Sequence, residues 1–450
     1  MRRALTRLVV LFLMVSLLIT GIFSLHASAE STERPSIPDT SMAEYVFLYN
    51  VNTDKMVYSK NANKKIFPGS AVKLMTGLIV CEKFADNLDE KITITQEMID
   101  LSTGWNIKLE AGMAVTVEDL LYGVLCGGGN DAAIALAIHC SGSVDSFVGE
   151  MNSRAQSLNL KNTHFTNPTG LDDTEMFSTV ADILILAKES YKNTLYLNIS
   201  SAMSYVYTPE GTNTEIKFFN RNSLISNFYA LGYRNLNAYG LVSGNTSLGG
   251  YCTITYAEKN GTGYLCGVMN AQAHGDNIYA YSIINSLLDY AFDNYSYVQI
   301  AQKDKFVCTV NTKFALPDNK KDAKIRCVIM DDVYTLTHKD INIDTDLKYR
   351  YYLHTEFLNA PVEEGIIVGG VDILYDGEVI GNAFLITEGT VEASGLLLIL
   401  NNLKEFFTGR FFILSLSFSI VALLIYGRVN MTILRKGKRK NKNLAKHFYQ

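Results

Sequence analysis

Phe411 to Tyr426, FFILSLSFSIVALLIY, carries no charge over sixteen residues and limits what this chain can fold into more than any other stretch. In lipid every backbone polar group of such a run must be satisfied internally, so it can only be a helix. Arg410 and Arg428 stand at its edges, where their long side chains can snorkel to the interfaces. Eight lysines and arginines follow between Arg428 and Lys446 with no acidic residue among them. By the positive-inside rule this places a basic tail (428–450) in the cytoplasm and the body outside, with a membrane anchor over 411–427.

The other end supports export. Arg2, Arg3 and Arg7 precede an apolar run from Leu8 to Leu25, and HASAE then offers Ala27 and Ala29 at the small-residue positions a signal peptidase prefers. Residues 1–29 read as a signal peptide. Thr20 and Gly21 interrupt the run and favour cleavage over the alternative, an uncleaved signal anchor. Without those three arginines and the eight tail cations, 29 of the 40 basic residues remain against 45 acidic ones, a net charge of −16 for the body. That balance excludes a nucleic-acid partner for the exported part.

The seven cysteines (Cys81, Cys126, Cys140, Cys252, Cys266, Cys308, Cys327) include no C-x-x-C pair, and no histidine stands at metal-ligand spacing. Buried thiols are expected, with no metal and no cofactor. Cys252 with Cys266, on the two arms of an expected hairpin, is the one pairing the sequence suggests.

Between the ends, β-rich runs at Tyr45–Val51 and Lys55–Tyr58 flank an Asn52-Thr53-Asp54 turn, the pattern of a hairpin. Pro68 and Gly69 stop the extended chain, and Ser70 stands as N-cap or first-turn residue of an apolar helix toward Phe84. Thr116 with Asp119 predicts a capping box for the next helix, which Gly127 to Gly129 end. Asn130 and Asp131 restart a helix, and two more follow, the second capped by Ser178. YCTITYAE and YLCGVMN then flank a KNGTG turn as a second hairpin, ahead of a helix from about Asn277 to Asn294. Strands at both ends of a helical middle predict an α+β domain over 30–296, built around one antiparallel sheet. Short alternating segments over 297–392 predict a small all-β domain. Residues 393–410 read as an amphipathic connector or as the start of a longer membrane helix.

One local arrangement carries chemistry. Ser70-Ala71-Val72-Lys73 puts a hydroxyl and an amine three residues apart on one helix face, where the amine can take the serine's proton. The helix N-terminus adds N–H groups for a developing oxyanion. Alone the spacing means little, since an SxxK string arises on the order of once or twice by chance in a chain this long.

The order of the surrounding segments is more specific. FPGSAVKLMTGL, VTVEDLLYGVLCGGGNDAAIALA, HFTNPTGLDD, FSTVADILILA and GLVSGNTSLGGYCTITYAEKNG resemble, in order and spacing, the low-molecular-mass penicillin-binding proteins, the serine D-alanyl-D-alanine carboxypeptidases. APVEEGIIVGGVDILYDGEVIG is similar to the β domain that follows the catalytic domain in many of them. The resemblance covers nearly the whole chain. It implies a penicillin-binding-protein/β-lactamase-like domain, then the small all-β domain and the C-terminal transmembrane helix.

The resemblance also implies a site. Ser70 would be acylated by the penultimate D-alanine of a peptidoglycan stem peptide, or by a β-lactam, with Lys73 as general base. Asn130 would be the asparagine of the family's SxN loop and orient the substrate. The SxN serine falls on Gly128, and the KTG strand falls on Val242-Ser243-Gly244. Ser243 would keep the substrate-binding hydroxyl, Gly244 would let the substrate backbone approach, and Asn245 would give the second oxyanion N–H. Two groups are therefore missing. A positioned proton-transfer group contributes about 10²- to 10⁴-fold in rate, and a hydrogen bond to a charge about ten- to a hundredfold in affinity. A carboxypeptidase of reduced activity is the first reading, and a pseudoenzyme that binds or scaffolds peptidoglycan is the alternative. His139 and His164 read as packing residues, and HFTNPTGLDD as scaffold.

Overall fold

The computed structural model describes residues 36–316 and 324–447, with side chains to residue 436; the expected signal peptide lies outside them. The chain divides into two compact units. The first takes the described residues up to Phe47, then Ser59–Thr255 and Cys266–Asn294; the second takes Leu48–Tyr58, Tyr256–Leu265 and the described residues from Tyr295 onward.

Five strands form the main sheet: β1 (Ala43–Asn50), β2 (Lys55–Lys60), β3 (Ala238–Thr246), β4 (Gly250–Lys259) and β5 (Thr262–Ala271), in the order β2-β1-β5-β4-β3. Tyr45 through Asn50, and Thr262 through Met269, are buried almost without interruption, so the strands lose the alternation of a one-sided sheet. β3 is an edge strand. That leaves one side of its backbone free of sheet partners, the side a peptide can use.

The helical middle comprises α1 (Val72–Phe84), α2 (Val117–Leu125), α3 (Asn130–Ser141), α4 (Val144–Ser157), α5 (Val180–Lys192) and α6 (Thr194–Ser200), and α7 (Tyr279–Asn294) follows the sheet. Eleven of the thirteen α1 residues are buried, Lys73 among them, which makes it a core helix. The capping box at α2 forms as its sequence requires: Thr116 Oγ1 accepts from the Asp119 N–H at 3.0 Å, and Asp119 Oδ2 accepts from the Thr116 N–H at 2.8 Å. Thr116→Ala should cost about 1 kcal/mol, a drop of roughly 2–4 °C in melting temperature. Differential scanning calorimetry checks it, and no shift would mean the cap is idle.

Two local expectations need correction. The cap of α5 is Thr179, whose hydroxyl accepts from the Asp182 N–H, whereas the Ser178 hydroxyl lies 2.9 Å from Thr163 Oγ1. Cys252 and Cys266 are free buried thiols. Burial pushes the Cys252 thiol up to about 12, far from a reactive thiolate. Cys308 and Cys327, also free, face each other in register.

The second unit holds β6 (Tyr295–Ala301), β7 (Phe306–Lys313), β8 (Lys324–Ile329), β9 (Val333–His338), β10 (Lys348–Leu353), β11 (Phe357–Asn359), β12 (Ile367–Tyr375) and β13 (Glu378–Glu388). Six of them form a sheet in the order β10-β12-β13-β8-β7-β11, and β6 pairs with β9. Ile300, Val310, Ile325, Cys327, Val371 and Leu385 lie in its core. The connector is a separate helix, α8 (Gly395–Thr408), capped by Ser394 and broken at Gly409 from α9 (Arg410–His447). Within α9, Arg410–Lys436 is long and apolar enough to cross a membrane.

Candidate active site

Pro68 and Gly69, with Gly69 at φ 51°, turn the chain into a short 3₁₀ segment, Gly69–Ala71, that leads into α1. Ser70 lies in this turn, one turn before Lys73. Across from it Gly244 of β3 comes so close that an added Cβ would stand 2.2 Å from Ser70 Oγ. Glycine is the one residue that fits there without displacing the hydroxyl. Ser70, Lys73, Asn130, Ser243, Gly244 and Asn245 all line one cleft of about 190 Å³.

Lys73 is 4% exposed. Its Nζ donates to Asn130 Oδ1 at 2.8 Å and to the Thr169 carbonyl at 2.6 Å. Burial first, and the positive charge of Arg221 second, lower its pKa from 10.5 to about 7, while Asp131 pulls the other way. A neutral amine has two hydrogens and one lone pair. Both hydrogens are spent on these acceptors, so the lone pair is what remains for the proton of Ser70.

The loop 101–110 is fixed by the start of α3. Asn130 Nδ2 donates to the Thr103 carbonyl at 2.7 Å, and the buried Asp131 carboxylate accepts from the N–H groups of Ile107 and Leu109. Asn130 thus has one amide hydrogen left for a ligand. Burial raises the Asp131 pKa, against the hydrogen bonds that favour its charged form. Trp105 Nε1 donates to the Gly127 carbonyl at 2.8 Å, which closes the loop over the three glycines.

Each glycine of CGGGN has its own cause. A Cβ on Gly127 would lie 2.8 Å from Ile107 Cγ2, and one on Gly129 would lie 2.7 Å from Asp131 Oδ1. Gly128 has φ 69°, and a Cβ there would lie 2.9 Å from Arg221 Cγ. The space a side chain at Gly128 would enter is therefore bounded by Arg221.

Arg221 had no part in the sequence reading. Its guanidinium lies over the Trp105 ring, 4.0 Å from the centroid, and over Tyr229 at 4.8 Å. Its one signal in the sequence is a cation between two asparagines just after the aromatic strand Ile216–Phe219. Thr169 was missed as well. The HFTNPTGLDD loop, expected to be scaffold alone, supplies the carbonyl that takes a hydrogen of Lys73.

The sequence matches the D-alanyl-D-alanine carboxypeptidase family, a peptidase S11 group, over residues 30–273. The chain belongs to this family. Residues 295–393 match the C-terminal domain of penicillin-binding protein 5. The D-alanyl-D-alanine carboxypeptidase DacF of Bacillus subtilis is 28% identical over 79% of this chain and 87% of its own length. DacA of Escherichia coli is 27% identical over 77% and 82%. The crystal structure of penicillin-binding protein 5 from Haemophilus influenzae superposes with a TM-score of 0.61 at 25% identity, covering 80% of this chain and all of that one.

Gly128 and Val242 are the two positions where the resemblance implies a missing group. Gly128 brings no hydroxyl, and the side chain of Val242, 5% exposed, is not among the cleft-lining groups. Ser243 was expected to offer its hydroxyl to a substrate. It lies 2.9 Å from both Thr253 Oγ1 and Tyr281 Oη. Tyr281 spends its own hydrogen on the Arg221 carbonyl, so Ser243 must donate to Tyr281. Its oxygen is at the cleft, but its hydrogen points elsewhere.

His139 and His164 behave as packing residues. His139 stacks near Phe84 and pairs with Glu90 at 2.9 Å, and His164 bridges to Phe177 through its backbone.

Proposed function

We propose that this chain removes the terminal D-alanine of peptidoglycan stem peptides through a Ser70 acyl-enzyme, more slowly than family members with a complete SxN serine and KTG lysine. The supporting observation is the buried lysine: Lys73 is held by two acceptors with its lone pair uncommitted, one helical turn from Ser70. Ser70 Oγ gives its proton to Lys73 Nζ as it bonds to the penultimate D-alanine carbonyl carbon. The oxyanion is taken up by the N–H groups of Ser70 and Asn245. The C–N bond then breaks, and the leaving amine regains a proton from Lys73, through water in the space where the SxN hydroxyl would stand. Water, deprotonated by Lys73, releases the shortened peptide and restores Ser70.

The body acts outside the membrane, with α9 as anchor and the basic tail inside. A β-lactam would acylate Ser70 by the same route. The pseudoenzyme reading rests on Gly128 and Val242, which remove two groups the chemistry normally uses.

One experiment separates the two. Full-length protein in detergent is incubated with a labelled penicillin and, in parallel, with a D-Ala-D-Ala pentapeptide, with Ser70→Ala as control. A covalent label and D-alanine release, both lost in Ser70→Ala, are expected. Absence of both in the wild type leaves the pseudoenzyme.

A further inference from the structure

We infer that Cys308 and Cys327 are joined as a disulfide in the mature protein, a covalent link between β7 and β8. The inference rests on the reading of the body as exported, since disulfides persist in oxidising compartments and are reduced in the cytosol.

Three observations carry it. First, the two residues are direct partners across the antiparallel pair, with Thr309 opposite Arg326 as the next pair along. Residues opposed in this way have Cα atoms about 4.5–5.5 Å apart, inside the roughly 4.4–6.8 Å that a disulfide spans. The strands need not slide to bring the sulfurs together.

Second, both side chains lie on one face. Cys308 and Val310 are buried while Thr309 between them is exposed, and Ile325 and Cys327 are buried while Arg326 between them is exposed. The two cysteines belong to the same core cluster. Burial raises both thiols, and each then feels the other: a hydrogen bond with Cys327 works to lower Cys308, and the charge of Cys308 works to raise Cys327.

Third, the link has a register to hold. The pairing of β7 with β8 shifts between Phe306 and Cys308, where a bulge interrupts the ladder. Cys308 with Cys327 is the first pair beyond that shift, and Cys327 also stands opposite Thr387 of β13. A bond there fixes β7 against the centre of the six-stranded sheet.

The step needs a disulfide donor, a protein or low-molecular-mass disulfide of the exported compartment. Cys308, 7% exposed against 0% for Cys327, is the thiol such a donor reaches first. Its thiolate attacks one donor sulfur and the other leaves. The Cys327 thiolate then attacks the Cys308 sulfur of the mixed disulfide and releases the second donor thiolate. Two electrons pass to the donor, which takes up the two protons the cysteines lose.

The test reads the bond directly. Full-length protein is precipitated in acid from growing cells, alkylated with N-ethylmaleimide in denaturant and digested without reductant. Mass spectrometry should find the Cys308 and Cys327 peptides linked, and those of Cys81, Cys126 and Cys252 alkylated. In detergent, reductant should lower the melting temperature of the linked protein by roughly 10 °C, for a closed loop of about 20 residues. It should leave Cys308→Ala unchanged, and equal shifts in both proteins overturn the link as a staple. A membrane-impermeant biotin reagent on spheroplasts reads the export separately. A labelled body with both thiols alkylated overturns the inference and leaves export standing. An unlabelled body overturns the export reading, and treatment of the purified protein with oxidised glutathione then decides: a Cys308–Cys327 peptide supports the pair, and two unlinked cysteines overturn it.

Discussion

Lys73→Met should slow labelling of Ser70 by penicillin by about 10²- to 10⁴-fold, the range of a positioned proton-transfer group. Wild-type labelling should rise with pH through about 7 and level off above it, since only the neutral amine can take the serine's proton. Removing the nearby cation by Arg221→Gln should move that rise to higher pH, because Arg221 is the second cause of the lowered value. The same lysine leaves a mark on stability. Between about 7 and 10.5 the unfolded chain holds the proton and the folded chain does not, so wild-type stability should increase with pH across that window. Below it the buried charge costs the fold roughly 5 kcal/mol at most. Urea unfolding at a series of pH values should show the increase in the wild type and not in Lys73→Met. A labelling rate flat in pH, or a variant that labels as fast as the wild type, would remove Lys73 from the mechanism.

This dependence on burial explains which parts of the site the sequence could reveal. Ser70 and Lys73 are three apart across the 3₁₀ turn that leads into α1, so helical spacing alone brings them together, and Asn130 follows from the helix restart after the glycines. Thr169 and Arg221 have no such periodic signature. Thr169 reaches Lys73 from 96 residues away through a backbone carbonyl, a group every residue has. Arg221 is positioned by the carbonyl of Cys126 and the hydroxyl of Tyr281, contacts that exist only after the helical middle, the strand edge and α7 have come together.

The fold was legible to a similar depth. The two hairpins of the main sheet and the capping box at Thr116 are local patterns and appear as read. The helix after the second hairpin begins at Tyr279 instead of about Asn277, and α5 is capped by Thr179 instead of its neighbour Ser178. Both hydroxyls there can cap a helix. Both residues also pair in one ribbon, Ser178 with Ile66 and Thr179 with Lys65; what differs is the side chain, since Thr179 Oγ1 accepts from the Asp182 N–H while Ser178 Oγ lies 2.9 Å from Thr163 Oγ1. The cysteines show the same limit: a hairpin suggested Cys252 with Cys266, whereas register puts Cys308 opposite Cys327.

The clearest case is the loop itself, where the obvious repair should fail. Gly128→Ser restores the family's hydroxyl on paper, yet it should cost roughly 2–5 kcal/mol of stability, from two sources. The αL backbone, φ 69° here, costs a side chain about 1–2 kcal/mol. Forcing a Cβ against Arg221 Cγ, 2.9 Å away, costs about 1–3 kcal/mol more. Adding Val242→Lys places an ammonium at a buried strand position and should not recover D-alanine release. Shortening the obstacle should help instead. In Gly128→Ser with Arg221→Ala the nearest Arg221 atom left is Cβ, 3.7 Å from the new carbon, so the steric part of the loss should return while the backbone part persists. Urea unfolding of the two single variants and the double variant gives the coupling, expected at about 1–3 kcal/mol. A Gly128→Ser protein that is as stable as the wild type and releases D-alanine faster would mean the gap is only a lost hydroxyl. A large coupling, with no gain in release, would mean that Gly128 and Arg221 form one packing unit.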